Sequence, residues 1–151
     1  MSTGIIISIS VIGGIVLLIL ILKTAFSSTQ WILNEQVQNK FLKDDIVLST
    51  TRASCFGVKS KGGMQVRGNG ALVLTNEVLY FLMAFPRKEF VIPIKSIIDL
   101  TTPKSFNGKS ILTPLLCVHY NIDSKEDEIA WAVSNLQKWI GEIKKLQQKT
   151  E

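Results

Sequence analysis

The hydrophobic residues of this chain follow three patterns in succession, and the first is a long run without charge. From Ile5 to Leu22 every residue is Ile, Leu or Val apart from serine and glycine. At about 1.5 Å per residue, a helix of this length spans roughly 27 Å, close to the hydrocarbon core of a bilayer. The run therefore predicts that residues 1–24 form a transmembrane anchor and that residues 5–22 contact the lipid bilayer.

The residues around this run favour an uncleaved, single-pass anchor. A cleaved signal peptide has a positive segment before its apolar core and small, uncharged residues at its cleavage site. Here no Lys or Arg precedes the run, and Lys23 follows it directly. Because Lys40 and Lys43 also follow, the positive-inside rule predicts that the C-terminal domain is cytoplasmic.

The second pattern has helical spacing and covers residues 25–45. Leu33, Val37 and Phe41 recur at intervals of four, which predicts a juxtamembrane connector helix packed on the domain. A helix lying on the membrane surface is the alternative, but the mixed charges are unlike a basic amphipathic helix. Three residues are candidate N-caps: Ser27, Ser28 and Thr29.

The third pattern begins at Ile46, where the period changes to two, and it predicts a mainly β domain over residues 46–151. Within it, "GNGALVLTNEVLYFLMAF" reads as an alternating hairpin. Seven segments read as strands: 46–58, 71–75, 78–85, 89–94, 96–102, 111–120 and 128–133. From Ser134 the helical period returns, with Trp139 on the apolar face. An amphipathic helix of this kind is suited to cap an antiparallel sheet that forms a partly open barrel.

These segments resemble the pleckstrin-homology (PH) superfold. Seven strands are followed by a helix carrying "KWIGEI", while "GNGALVLTNEVLYF" and "VIPIKSIIDL" resemble the GRAM and bacterial PH-like branch of that superfold. The resemblance covers Ile46 to about Leu146, and Thr75, Asn76, Pro93 and Trp139 are the matching turn and core positions. It implies a PH-like barrel that binds lipid head groups or protein partners at membranes, without catalysis.

Charge indicates where such binding would occur. The net charge is +5, and the basic excess lies entirely within residues 46–110. In PH domains that bind phosphoinositides, basic residues of the first loop face the phosphates, which implies a ligand-binding role for Lys59, Lys61 and Arg67. Gln65 occupies a position where the lipid-binding consensus has a basic residue, so the resemblance implies unspecific attraction to anionic lipids or to an acidic partner. A solvated basic surface without a ligand is the alternative.

Other chemistry has little support in the sequence. His119 is the single histidine and lies in an apolar segment, and no cysteine pair has metal-binding spacing. Cys55 and Cys117 fit free thiols in a reducing compartment, with one disulfide as the alternative. We expect no enzyme activity, no cofactor, no metal and no nucleic acid partner.

Two functional classes remain. One is a membrane-tethered binding module that recognises anionic lipid head groups or a protein partner. The other is a scaffolding membrane protein whose PH-like domain self-associates into a homo-oligomer, with the anchor raising its local concentration.

Overall fold

The computed structural model describes residues 3–150, with side chains for residues 10–25 and 27–149. The chain divides into two compact units, one ending at Ile32 and the other beginning at Leu33. Two parts of the predicted anchor, residues 1–2 and the side chains of residues 3–9, lie outside the described residues.

One helix, α1 (Thr3–Lys40), contains both the apolar run and the residues that follow it. The helix has no break at the predicted boundary between the anchor and the connector. The hydroxyls of Thr24, Ser28 and Thr29 each donate to a carbonyl three or four residues earlier, at 2.8–3.1 Å. The three candidate N-caps, Ser27, Ser28 and Thr29, lie inside α1 rather than at its start, so they do not act as N-caps.

The described part of α1 is long and apolar enough to cross a membrane, by length and composition. Its large aliphatic side chains from Val11 to Leu22 are 47–61% exposed. A core helix of a soluble domain would bury one face. The composition and the exposure therefore agree with a single membrane-length helix near the N-terminus.

The strands are β1 (Ile46–Val58), β2 (Gly68–Thr75), β3 (Val78–Met83), β4 (Lys88–Pro93), β5 (Ile97–Thr101), β6 (Ser105–Phe106), β7 (Lys109–Ser110), β8 (Leu116–Ile122) and β9 (Lys125–Ala132). Seven of them form one antiparallel sheet, in the order β4-β3-β2-β1-β9-β8-β5. The sheet is not closed, so β4 and β5 are its two edges. Two short strands, β6 and β7, pair with each other outside it.

The inner face of this sheet is filled by a second helix, α2 (Leu136–Thr150). Trp139, Ile143 and Leu146 pack against the large inner side chains of the strands, among them Phe81 and Trp131. Trp139 is 4% exposed. The prediction of a mainly β domain with seven antiparallel strands and a C-terminal helix is therefore confirmed.

The outer face of β2 and β3 is covered by the end of α1. Leu33 and Val37 are buried there with Ala71, Val73 and Tyr80. The hairpin is consequently buried on both faces. The predicted alternation of buried and exposed positions fails in it because a helix replaces solvent on the second face.

The end of α1 is also fixed by polar contacts. The Lys40 ammonium forms an ion pair with Glu89 and lies 4.4 Å from the centre of the Tyr80 ring. The Phe41 ring meets Tyr80 edge-on, with 5.2 Å between the ring centres. The hydrogen bond from Lys40 lowers the pKa of the Glu89 carboxyl. This part of the predicted connector therefore packs on the domain, as expected.

The outer face of the other half of the sheet is covered by the segment that carries β6 and β7. Phe106 and Leu115 are buried there against Phe56, Cys117 and Ala130. None of the predicted strands covers residues 103–110, whereas the structure has a short hairpin there that closes a third small core.

Candidate functional site

The predicted site is the loop that joins β1 to β2, residues 59–67. It makes one 3₁₀ turn, Lys59–Lys61, and then returns to the sheet at Gly68. The Gln65 side chain folds back beneath it. Its amide nitrogen donates to the carbonyls of Val58 at 2.6 Å and Gly62 at 2.7 Å, and its oxygen accepts from the Val58 amide at 3.0 Å. Three hydrogen bonds of one side chain therefore tie the loop to the end of β1 and to its own 3₁₀ turn.

Gly57 leaves the room that this arrangement needs. Its φ is +96°, and a Cβ there would lie 2.9 Å from the Gln65 side chain. A residue with a side chain would be strained in this backbone conformation and would collide with Gln65. The position at which the lipid-binding consensus has a basic residue is thus occupied by the side chain that shapes the loop.

The β6–β7 hairpin supports the loop from a second side. The Lys109 ammonium donates to the Gln65 carbonyl, and the Asn107 amide donates to the Val58 carbonyl at 3.2 Å. These partners are more than 40 residues away in the chain, and sequence reasoning did not identify them.

Lys59 is engaged by acidic side chains of β9. Its ammonium lies 2.5 Å from the Glu128 carboxylate, and this hydrogen bond raises the pKa of Lys59. Next to it, both the amide and the hydroxyl of Ser60 donate to the Asp127 carboxylate. The acidic pair therefore fixes the start of the loop and offsets the charge of Lys59.

Lys61 and Arg67 are exposed, as Lys59 is, but no ion pair of the described side chains includes either of them. The Arg67 guanidinium lies 4.1 Å above the Phe56 ring, a cation–π contact that holds it in place. All three predicted site residues therefore lie in this loop, and only Lys59 among them forms an ion pair with a described carboxylate.

The cavity beside Lys59 is acidic and does not suit an anion. The depression of about 290 Å³ beside Lys59 is lined by Glu126, Asp127, Glu128 and His119. An anion would meet three carboxylates there. The geometry suits long-range attraction from Lys61 and Arg67 rather than specific coordination.

Two apolar side chains of the same loop were missed from the sequence. Met64 is fully exposed, and Val66 is 69% exposed. They flank Gln65, whose side chain points inward. The available signal was the stretch "GGMQVRG", where apolar residues stand in a glycine-rich turn that offers them no core.

The other reactive side chains of the domain are two cysteines and one histidine. Cys55 and Cys117 are free, and burial raises the pKa of the Cys55 thiol to about 11. A thiol of that kind is a poor nucleophile at neutral pH. His119 lies 3.6 Å from the Glu126 carboxylate on the protein surface. Among the described residues, no group of three or more His, Cys, Asp or Glu side chains is placed to hold a metal.

Comparison with known protein-family models gives no match to this chain, and neither does comparison with curated proteins.

Proposed function

We propose that this chain is a membrane-tethered, non-enzymatic binding module. Its PH-like domain meets anionic lipid head groups at the bilayer that anchors it. Seven antiparallel strands around one C-terminal helix are the parts that the resemblance to the PH superfold implies, and they support this assignment. A sheet with two open edges is also compatible with a partly open barrel.

The observation that carries the proposal is the pair Lys61 and Arg67, exposed on a loop that Gln65 and Lys109 hold in shape. Near an anionic membrane surface, each Lys or Arg contributes about 1 kcal/mol of attraction without a pocket. Lys59 contributes less than predicted, because Glu128 is already its partner.

The tether and its orientation belong to the same proposal. The helix of membrane length supports anchoring, and Lys23 and Lys43, which follow the apolar run, favour a cytoplasmic domain. The cytoplasmic leaflet is the one that carries anionic lipids, so this orientation presents Lys61 and Arg67 to head groups of opposite charge.

The proposal predicts that residues 33–151, which contain all three cores, float with liposomes only when anionic lipid is present. The double variant Lys61→Glu/Arg67→Glu is expected to weaken binding by more than about tenfold, because each reversal replaces attraction by repulsion. Binding is also expected to fall as salt shortens the Debye length from about 10 Å at 0.1 M to about 3 Å at 1 M. Flotation through a density gradient measures both effects.

The matched control is Lys138→Glu/Lys144→Glu, which makes the same change in net charge on the exposed side of α2. It is expected to retain most of the binding. If the parent and the Lys61→Glu/Arg67→Glu variant float equally, the loop is only a solvated basic surface, and lipid recognition by it is refuted.

Self-association is the second candidate function, and the open edges of the sheet favour it. Edge strands β4 and β5 each expose a large aliphatic residue, Val91 at 50% and Ile98 at 51%. Unpaired edges are templates for pairing with another chain. A discrete oligomer of residues 33–151 in light scattering, with no flotation, would favour the scaffolding role.

A further inference from the structure

We infer that three side chains, Met64, Val66 and Phe85, form an apolar tip that enters the head-group region of an anionic bilayer. This inference rests on the proposed function, and it adds an apolar contact to the charge attraction that Lys61 and Arg67 supply.

Exposure is the first observation. Met64 is 100%, Phe85 83% and Val66 69% exposed. Scattered exposed hydrophobic residues are ordinary on protein surfaces, so the exposure alone would carry nothing.

The proximity of the two turns is the second observation. The Ala84 amide donates to the Asn69 carbonyl at 2.9 Å, and Gly68 lies against the Met83 side chain. These contacts place Phe85 beside the start of β2, which follows Arg67 directly. The apolar tip therefore belongs to one end of the sheet, although its residues come from separate connections.

The third observation is that the loop is fixed before it binds. The Gln65 side chain is bonded to Val58 and Gly62, and its own carbonyl accepts from Lys109. Its neighbours Met64 and Val66 are the exposed positions on either side. Because the bonds already order this loop, its binding loses little conformational entropy.

Charge identifies the partner. Lys61 and Arg67 flank the tip in one turn, and Arg87 and Lys88 follow Phe85 in the other. The acidic residue next to these, Glu89, is paired with Lys40. Exposed apolar side chains among basic ones are the pattern by which proteins bind the surface of anionic membranes.

The shape of the tip favours lipid over an acidic protein. A side chain as exposed as Met64 does not line a groove, so a protein partner would have to supply a complementary pocket for each turn. A lipid interface deforms around both turns, and α1 supplies a means of keeping such a surface close.

The experiment uses the full chain in proteoliposomes and an environment-sensitive dye on Met64→Cys or Phe85→Cys. The native Cys55 and Cys117 are 0% and 2% exposed, so the dye labels the new thiol. Leu112→Cys is the matched control. Leu112 is also 100% exposed, but it lies beyond the base of the β6–β7 hairpin, at the opposite end from its turn.

In liposomes of phosphatidylcholine with phosphatidylglycerol, the dyes at 64 and 85 are expected to shift to the blue and to be quenched by lipids brominated on the acyl chains. The dye at 112 is expected to remain aqueous. Adding Lys61→Glu/Arg67→Glu to the labelled chain is expected to abolish the shift at 64 and 85.

The other outcomes separate the two proposals. If positions 64 and 85 behave like 112 while residues 33–151 still float with anionic lipid, the apolar tip is refuted and head-group binding stands. If 64 and 85 insert equally in pure phosphatidylcholine and in the charge-reversed chain, apolar insertion stands and anionic recognition fails. Aqueous dyes together with no flotation would overturn both.

Discussion

Replacing Trp139 by alanine is expected to lower the free energy of unfolding of residues 33–151 by about 3–5 kcal/mol. Trp139 is 4% exposed and belongs to the inner core, together with Ile143 and Leu146 of the same helix. Truncation removes the apolar contacts of the indole and leaves a cavity between α2 and the sheet. Urea unfolding followed by far-UV circular dichroism measures the change without relying on the deleted fluorophore.

The neighbouring exposed position provides the control for this measurement. Lys138→Ala is expected to change stability by less than about 0.5 kcal/mol. A loss below about 1 kcal/mol for Trp139→Ala would mean that α2 does not close the inner face of the sheet, and it would remove the main support for a PH-like assignment.

Gly70→Ala is expected to destabilise the domain by about 3 kcal/mol or more, at the upper end of the range for overpacking. A Cβ at Gly70 would stand 2.1 Å from the Leu82 carbonyl oxygen and 2.8 Å from the Phe81 ring. The nearest atom belongs to the backbone of the paired strand, so β2 and β3 would have to separate. The same unfolding experiment detects the loss.

Two other glycines are comparators for this effect. Gly68→Ala meets the Met83 side chain rather than backbone, so a smaller loss is expected. Gly141→Ala in α2 meets nothing within 4 Å and is expected to stabilise the domain by roughly 0.5–1 kcal/mol. Equal stability of the Gly70 and Gly141 variants would contradict the close approach of β2 to β3.

The strands and the closing helix were predictable because each has a local period. In β9, for example, Ile129 and Trp131 face the inner core while Ala130 faces outward, as their alternation indicated. The start of α2 was predicted less accurately. Asn135, rather than Ser134, directly precedes α2, and its carbonyl accepts from the Lys138 amide at 2.9 Å.

The covering of the outer faces was harder to predict. The consecutive apolar residues Ala71–Leu74 carried a signal for burial on both faces, but not the identity of the covering element. For the second outer face, β6 and β7 have two residues each, too few to show a period. The hydrophobic cluster that seals that face contains Phe56 and Phe106, which are far apart in sequence.

For the candidate site, the sequence located the basic loop but did not indicate which of its side chains are bonded to other parts of the domain. Lys59 and Lys61 look equivalent in the sequence, yet Glu128 is bonded to only the first. In the sequence, Gln65 only differs from the residue type of the lipid-binding consensus. Its role follows from the hydrogen bonds of its side chain to Val58 and Gly62. Pairings of this kind arise from tertiary structure and have no local signature.

The most direct test of a tethered, cytoplasmic module asks on which side of an intact membrane the domain lies. Gln148 is exposed near the end of α2, and both native cysteines are buried. The full-length Gln148→Cys chain, expressed in cells, is treated with a membrane-impermeant maleimide before and after permeabilisation.

We expect labelling only after permeabilisation, in a chain that stays in the membrane fraction with its apolar N-terminus intact. Labelling in intact cells would place Lys61 and Arg67 away from the anionic leaflet. A mature chain beginning near Ser27 would show that the apolar run is cleaved rather than retained as an anchor. Either result would contradict a cytoplasmic, membrane-tethered module.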